Sequence, residues 1–367
     1  MNEVALITHY DLSLFRGGEK FIINLANALS EEGWAVKVYS LPINRRNDRV
    51  KNVRRRLSKK VEYEYIQVRT KVEADISYYI YSPLVYNYFT IKDKSPLKVA
   101  GIHGFAITPQ LSDPAIWKIP PVKFIKIHGF KAFLAFHYSR FAKGRDLQRY
   151  DLVHAINPFQ KIFLPEKLSK KTVHIPLWTD YKRTLPANTG TGSNEYFRIL
   201  ILGCSDFRKG YDICKALIKY YSGLQGLRIR FYSNVYFKDS RVFFLGFIEE
   251  EELPRILSQA NVLLHPSRLD TFGLTIIESL ACGTPVVTSD ILAHRIFSHP
   301  VFLCSSLMDY VSRINELYEV WRGGEYELIR KKAESEGRKF SKESVFPIYR
   351  RLVKCGNLVN DSTSFSP

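Results

Sequence analysis

Asp270 and Glu278 stand with seven residues between them, inside a stretch from His265 to Asp290 that reads HPSRLDTFGLTIIESLACGTPVVTSD. The pattern places a strand end at Pro266, a short loop, and a helix opening near Phe272-Gly273 and running to about Cys282. Gly283 and Pro285 then stop the helix before a new strand. Asp270 falls just before that helix and Glu278 two turns into it. A helix N-terminus offers unpaired N–H groups and the positive end of a dipole, which suits a phosphate at Phe272 to Leu274. Gly273 lets the backbone approach closely. One carboxylate is then placed for a sugar and the other for a ribose. Taken alone, the same spacing also reads as an N-cap at Asp270 or Thr271 and a solvated Glu278, because capping is the commoner use of such residues.

Three further places carry residues that can do chemistry. Arg16-Gly17-Gly18-Glu19-Lys20 follows the first strand candidate. Gly17 and Gly18 allow backbone N–H groups to meet a phosphate or sugar, although a plain tight turn explains them equally well. Gly203 to Gly210 lies between a strand and a helix and carries the basic pair Arg208-Lys209. On a loop, such a pair by itself is most often a solvated surface. His103 ends the run Val99-Ala100-Gly101-Ile102 and precedes Gly104. A histidine at a strand end serves either chemistry or structure.

These residues need elements to hold them. Strand candidates in the first half are Val4–Thr8, Val36–Ser40, Ile76–Ile80, Val99–Ile102 and Leu152–Ala155. Several are apolar without alternation, as strands buried on both faces of a parallel sheet must be. Phe21, Ile22, Leu25, Ala26 and Leu29 repeat at helical spacing, and Gly33 stands where that helix stops. After a turn-rich break at Pro186 to Asn194 the rhythm restarts. Ile199–Leu202, Ile229–Tyr232, Phe243–Leu245, Val262–His265 and Val286–Thr288 read as a second set of strands, with helices over Tyr211–Tyr221 and Glu250–Ser258. The spacing predicts two doubly wound α/β domains: 1–186, a linker at 187–196, and 197–344. A helical, basic stretch covers Glu325 to Leu358, whose last part, 345–358, packs back on the first domain. A disordered tail follows at 359–367. In such sheets ligands bind outside the carboxyl ends of the strands, so the active site is expected in a cleft between the domains.

Composition limits the classes. The chain has 367 residues, 46% hydrophobic and 25% charged, which suits two soluble domains and argues against a mostly disordered protein. No run reaches the roughly 18 apolar residues that a spanning helix needs. The N-terminus reads as a first strand and not as a signal peptide, so a cytoplasmic protein is expected. Five cysteines, Cys204, Cys214, Cys282, Cys304 and Cys355, form no C-x-x-C pair, which predicts buried free thiols instead of a disulfide framework or a zinc site. The net charge of +18 attracts polyanions, anionic membranes or phosphorylated small molecules alike.

Residues Ser267 to Val287 closely resemble the retaining GT-B glycosyltransferases of the family 4 type, the glycosyl transferases group 1. That family's segment has Pro-Ser, Glu, Phe-Gly, a second Glu and Gly-Thr-Pro-Val. Pro266-Ser267, Phe272-Gly273, Glu278 and Gly283-Thr284-Pro285-Val286 match, while Asp270 replaces the first Glu. Gly17-Gly18 is similar to the family's Gly-Gly-x-Glu loop, with Lys20 in place of Glu. Lys209-Gly210 matches the family's Lys-Gly, with Cys204 where its Arg stands. Phe244-Leu245-Gly246 through Ala260-Asn261 resembles a further stretch that contributes to the nucleotide base pocket. The match covers residues 4 to about 355, densely in the second domain and patchily in the first.

The resemblance implies a GT-B fold and sugar transfer from a UDP- or GDP-sugar to a glycan, lipid-linked or other hydroxyl acceptor, with retention. It implies that His103 and Asp270 position the sugar and Glu278 holds the ribose. Gly17, Gly18, Lys209, Arg208 and the helix start at Phe272, Gly273 and Leu274 then bind the donor. There is no Asp-x-Asp pair, so no metal and no cofactor are expected. Two basic segments, 44–60 with nine Lys or Arg residues and 123–149 with interleaved Phe, suit an anionic membrane surface. The second of them equally suits a core-facing helix with a solvated back. The rivals are a nucleic-acid-binding protein, which lacks any recognised motif and leaves Asp270 to Val287 unexplained, and an inactive sugar-nucleotide binder on the same fold.

Overall fold

The computed structural model describes residues 2–14, 17–41, 53–82, 91–105, 107–118, 120, 122, 125, 145–184 and 195–355. The chain divides into two compact units. The first comprises Met1–Pro109, Ile119–Leu177 and Val345–Ser366, and the second is built from Gln110–Lys118 and Trp178–Ser344.

In the first unit, seven strands form one parallel sheet: β1 (Glu3–Thr8), β2 (Ala35–Ser40), β3 (Glu62–Tyr65), β4 (Ile76–Ile80), β5 (Leu97–Ile102), β6 (Leu152–Ala155) and β7 (Thr172–His174). Their order is β3-β2-β1-β4-β5-β6-β7. Val4 to Ile7 are buried throughout, as their unbroken apolar run requires in a sheet covered on both faces. Helix α1 (Gly17–Glu31) buries Phe21, Ile22, Leu25, Ala26 and Leu29, and the left-handed Gly33 follows its end.

The second unit repeats the plan with six parallel strands: β8 (Phe197–Ile201), β9 (Ile229–Ser233), β10 (Val242–Phe244), β11 (Val262–His265), β12 (Val286–Ser289) and β13 (Val301–Cys304). The order β10-β9-β8-β11-β12-β13 reverses direction between β8 and β11, and the first sheet reverses between β1 and β4. Each reversal is a topological switch point, where the loops leaving adjacent strands run to opposite faces and open a crevice for ligand. The core of this unit packs Phe197, Ile199, Phe231, Val262 and Leu264 against Leu217 and Tyr221 of α2 (Tyr211–Ser222) and Ile314 and Leu317 of a later helix, Leu307–Arg322.

The expected strands are all present, and β3, β7 and β13 were not expected. Glu250–Ser258 divides into a 3-10 turn at Glu250–Glu252 and helix α3 (Leu253–Gln259), with Pro254 in the first turn of α3, where its missing N–H breaks no helical bond. The C-terminal stretch is two helices, Tyr326–Arg338 and Lys342–Cys355, and the second belongs to the first unit from Val345 onward. Residues 110–118 belong to the second unit, which nothing in their composition signalled. Residues 185–194, 42–52, most of 123–144 and 356–367 lie outside the described residues. This covers most of the expected linker, much of both basic segments and the tail. Cys204, Cys214, Cys282 and Cys304 are buried and free. Among the described residues, no helix is long and apolar enough to cross a membrane.

Candidate functional site

Lys209 and Asp270 stand on opposite sides of the switch point in the second unit, in the loops that leave β8 and β11. The β8 loop closes on a 3-10 turn, Phe207–Lys209, capped by the Asp206 side chain, which accepts from the N–H groups of Arg208 and Lys209. Gly210 ends the turn in the left-handed region at φ 75°. A Cβ there would overlap the carbonyl oxygen of Pro266, so only glycine lets the two loops touch. They touch through backbone: the N–H groups of Arg268 and Leu269 donate to Arg208 O at 2.8 and 3.2 Å. Asp113, from the 110–118 segment, donates its N–H to Arg268 O at 2.8 Å and braces the second loop.

This docking gathers a lysine and two histidines around one carboxylate. Lys209 Nζ lies 3.0 Å from Asp270 Oδ1, and it also donates to Leu269 O at 3.3 Å. His265 Nε2 is 2.9 Å and His294 Nε2 3.4 Å from Asp270 Oδ2. Burial alone would raise the Asp270 carboxyl. The Lys209 charge and the two histidine contacts outweigh burial and hold it well below the ordinary carboxylate range. His265 is lowered by its own burial, and Asp270 offsets this only in part. Thr288 Oγ1 donates to His265 O at 2.7 Å and also meets His294 Nδ1 at 2.9 Å, so the end of β12 fixes both histidines. His265, Asp270 and His294 have ligand atoms within 4.8 Å of one another, a spacing a metal ion could use. The Lys209 ammonium already neutralises that carboxylate and opposes a second cation.

Helix α4 (Leu274–Ala281) begins four residues after Asp270. Gly273 precedes it at φ 102°, and no side chain caps it. Its positive end therefore has no side-chain cap and offers backbone N–H groups to an anion. Phe272 is 2% exposed and its ring packs edge-on to Phe297 and Phe340, so the ring belongs to the core and does not line the helix start. Leu274 is half-buried. Glu278 is buried on α4, not solvated. Its charge acts on Tyr181, whose hydroxyl is raised first by burial and next by Glu278. Tyr181 itself donates to the Glu250 carboxylate.

Other expected site residues have different surroundings. The Arg208 guanidinium is taken by Asp206, with Nε 3.1 Å from both carboxylate oxygens. Cys204 is buried with its sulfur 3.3 Å from that of Cys214, and so supplies no cation in place of the arginine that the resemblance places there. In the first unit Gly17 opens α1, and Gly18 packs against the Tyr10 ring. Glu19 and Lys20 are both buried. His103 follows β5, is buried, and lies under the Phe21 ring at 4.7 Å between centroids. His265 and His294 were not singled out from sequence. The signal for His265 was its place at the end of an apolar strand, five residues before Asp270. His294 had none, because its role depends on the 3-10 turn Leu292–His294 folding back toward the loop.

Residues 230–298 match the model of the glycosyl transferases group 1, a span that contains Asp270, α4 and Glu278. A GDP-mannose-dependent alpha-(1-6)-phosphatidylinositol dimannoside mannosyltransferase of Mycobacterium tuberculosis is 28% identical over 170 residues, 41% of this chain and 44% of that protein. An O-antigen biosynthesis glycosyltransferase, WclY, of Escherichia coli is 49% identical over 51 residues, 14% of each chain. The matched stretches thus span less than half the length of these relatives. The structure of Anabaena HepE solved with UDP-glucose superposes with a TM-score of 0.65 at 15% identity, covering 96% of this chain and 99% of that one. The chain has the GT-B glycosyltransferase fold and carries a glycosyl transferases group 1 segment in its second unit.

Proposed function

We propose that the protein is a glycosyltransferase that moves a sugar from a UDP- or GDP-sugar to a hydroxyl of a glycan or lipid-linked acceptor, with retention and without a metal. The observation that carries this reading is the convergence of Lys209 on Asp270 at a strand switch point, beside an uncapped helix that bears a buried Glu278. As the anomeric bond breaks, charge develops on the leaving diphosphate. Lys209 and the N-terminus of α4 stabilise it with groups already in place, which is the efficient way to stabilise a transition state. Asp270, fixed by three neighbours, receives sugar hydroxyls, and Glu278 receives the ribose. The basic sequences of segments 44–60 and 123–149 suit an anionic membrane surface on the acceptor side. The names of the mannosyltransferase and of the UDP-glucose complex support a nucleotide-sugar donor.

The test is a panel of UDP-, GDP- and ADP-sugars, read by thermal shift and nucleotide release, on the wild type and Glu278→Ala. A ligand of the native state raises the melting temperature once it exceeds its dissociation constant. One donor is expected to stabilise the wild type and not the variant, with turnover unaffected by EDTA. No shift and no release with any sugar nucleotide overturns the reading; loss of turnover in EDTA with recovery in Mn²⁺ overturns its metal-free form.

A further inference from the structure

The first unit holds a chain of buried polar groups that ends on His103. His154 Nε2 lies 2.7 Å from the carbonyl oxygen of Ile175. A carbonyl only accepts, so Nε2 carries a proton and donates it. His154 is fully buried, and burial, partly offset by that same bond, lowers it to about 3, so the ring is neutral. Its other nitrogen, Nδ1, therefore has a lone pair and accepts. The Tyr78 hydroxyl is 2.6 Å from it and has one proton, which goes there. The Tyr78 oxygen also lies 2.8 Å from His103 Nε2. With its proton committed to His154, the Tyr78 oxygen accepts from His103, so His103 Nε2 carries the proton. Burial also keeps His103 neutral.

We infer that Tyr78 and His154 are positioning residues that hold His103 as its Nε2–H tautomer and make Nδ1 its accepting nitrogen. The direction runs His103 to Tyr78 to His154 to the Ile175 carbonyl, and each step follows from the one after it. The packing is built for this chain. A Cβ on Gly101 would overlap the Tyr78 hydroxyl and come within 2.8 Å of His103 Nε2, so glycine leaves the room in which the two meet. Tyr349 stands edge-on to His154 at 5.2 Å and donates to Pro176 O at 3.1 Å, closing the far end. Phe21 covers His103. Such buried chains are stiff because breaking any link strands a polar group.

The consequence rests on the proposed reaction together with the family resemblance, which implies that His103 positions the sugar. Nδ1 is then the nitrogen through which His103 accepts a hydrogen bond and cannot donate one. It therefore selects a ligand group that bears a proton at that point.

The tautomer is read directly from two-bond proton–nitrogen correlation spectra of nitrogen-15 histidine-labelled protein, with His103→Gln to assign the signals. The expected spectrum has His103 neutral, with Nε2 protonated and Nδ1 bare. In Tyr78→Phe the signals move toward a mixture of tautomers. kcat also falls about tenfold or more, within the range that a misplaced group commands, while the donor KM stays within about threefold. A wild-type His103 protonated on Nδ1 overturns the inference, and this spectrum needs only folded wild-type protein. A folded Tyr78→Phe with an unchanged tautomer and kcat overturns it too. The spectrum needs no turnover, so the expected tautomer in a protein that processes no sugar nucleotide faults the proposed reaction and leaves the relay standing.

Discussion

Lys209 Nζ and Asp270 Oδ1 are 3.0 Å apart although they stand 61 positions apart in the chain. The contact exists because Gly210 lets the β8 loop press on Pro266 and because Arg208 O takes two N–H groups from the β11 loop. The pair joins two roles that the sequence suggested separately, a cation for the diphosphate and an acid for the sugar. In the proposed reaction, the residue that stabilises the leaving group also holds the residue that receives the sugar.

Asp270→Asn is expected to cost about 2 kcal/mol of stability at neutral pH, because it leaves Lys209 and two histidines facing an uncharged group. The sign with pH is fixed by the direction of the shift. Asp270 is depressed in the folded state, so its contribution is complete above the unfolded value near 3.8 and is lost as pH falls from there to its own folded value, well below it. Urea midpoints of wild type and variant should differ at pH 7 and begin to converge only below about pH 4. A gap that persists at low pH would show that the charge is not what the pair contributes.

Restoring the resembled family's residue is expected to harm this protein. Asp270→Glu adds a methylene between Lys209, His265 and His294, all three of which are spaced for the shorter side chain. Overpacking such a site costs about 1–2 kcal/mol and displaces the carboxylate from its donors. The melting temperature and the turnover of the best donor should both fall. A variant more active than the wild type would mean that the histidine setting is incidental.

Much of this site was legible because helix starts, helix stops and apolar strands leave local marks. Gly273, Gly283 and Pro285 bracket α4 in the sequence as in the structure. The buried run Val262–His265 aimed its end at Asp270. What sequence could not give is pairing between loops. Asp206 capping the turn and capturing Arg208, and Thr288 fixing His294, depend on which loop meets which across the sheet. Residues 110–118 brace the second unit through Asp113 and Ser112, far from it in the chain. Phe272 falls at the helix start in the sequence, but the way its ring turns, onto Phe297 and Phe340, is set by packing that leaves no local mark.

Arg208 and Lys209 should separate by function. Arg208 is held by Asp206, so Arg208→Ala frees a carboxylate on an exposed turn and should weaken donor binding by less than about threefold. Lys209→Ala removes the ammonium that faces Asp270 and should weaken it about tenfold or more, as expected for a charge-assisted contact. Calorimetric titration with the donor found in the panel measures both. Equal losses would move the diphosphate contact to Arg208.

Acid should destabilise the protein well before its carboxylates titrate. Burial lowers His9 to about 4 and His154 to about 3, from an ordinary value of 6.5, each partly offset by a backbone hydrogen bond. His103 and His265 are lowered as well, again chiefly by burial. A lowered histidine is neutral in the folded state and takes its proton on unfolding. Between about pH 6.5 and pH 4 the unfolded chain binds more protons, so stability falls as pH falls, and it is fully kept only above about 6.5. At pH 5, His9 and His154 should each cost about 2 kcal/mol relative to pH 7.5. The urea midpoint should therefore drop clearly between those two values, in a range where Asp270 and the other depressed carboxylates remain charged. A midpoint that does not change from pH 7.5 to 5 would mean that these histidines are open to water in solution.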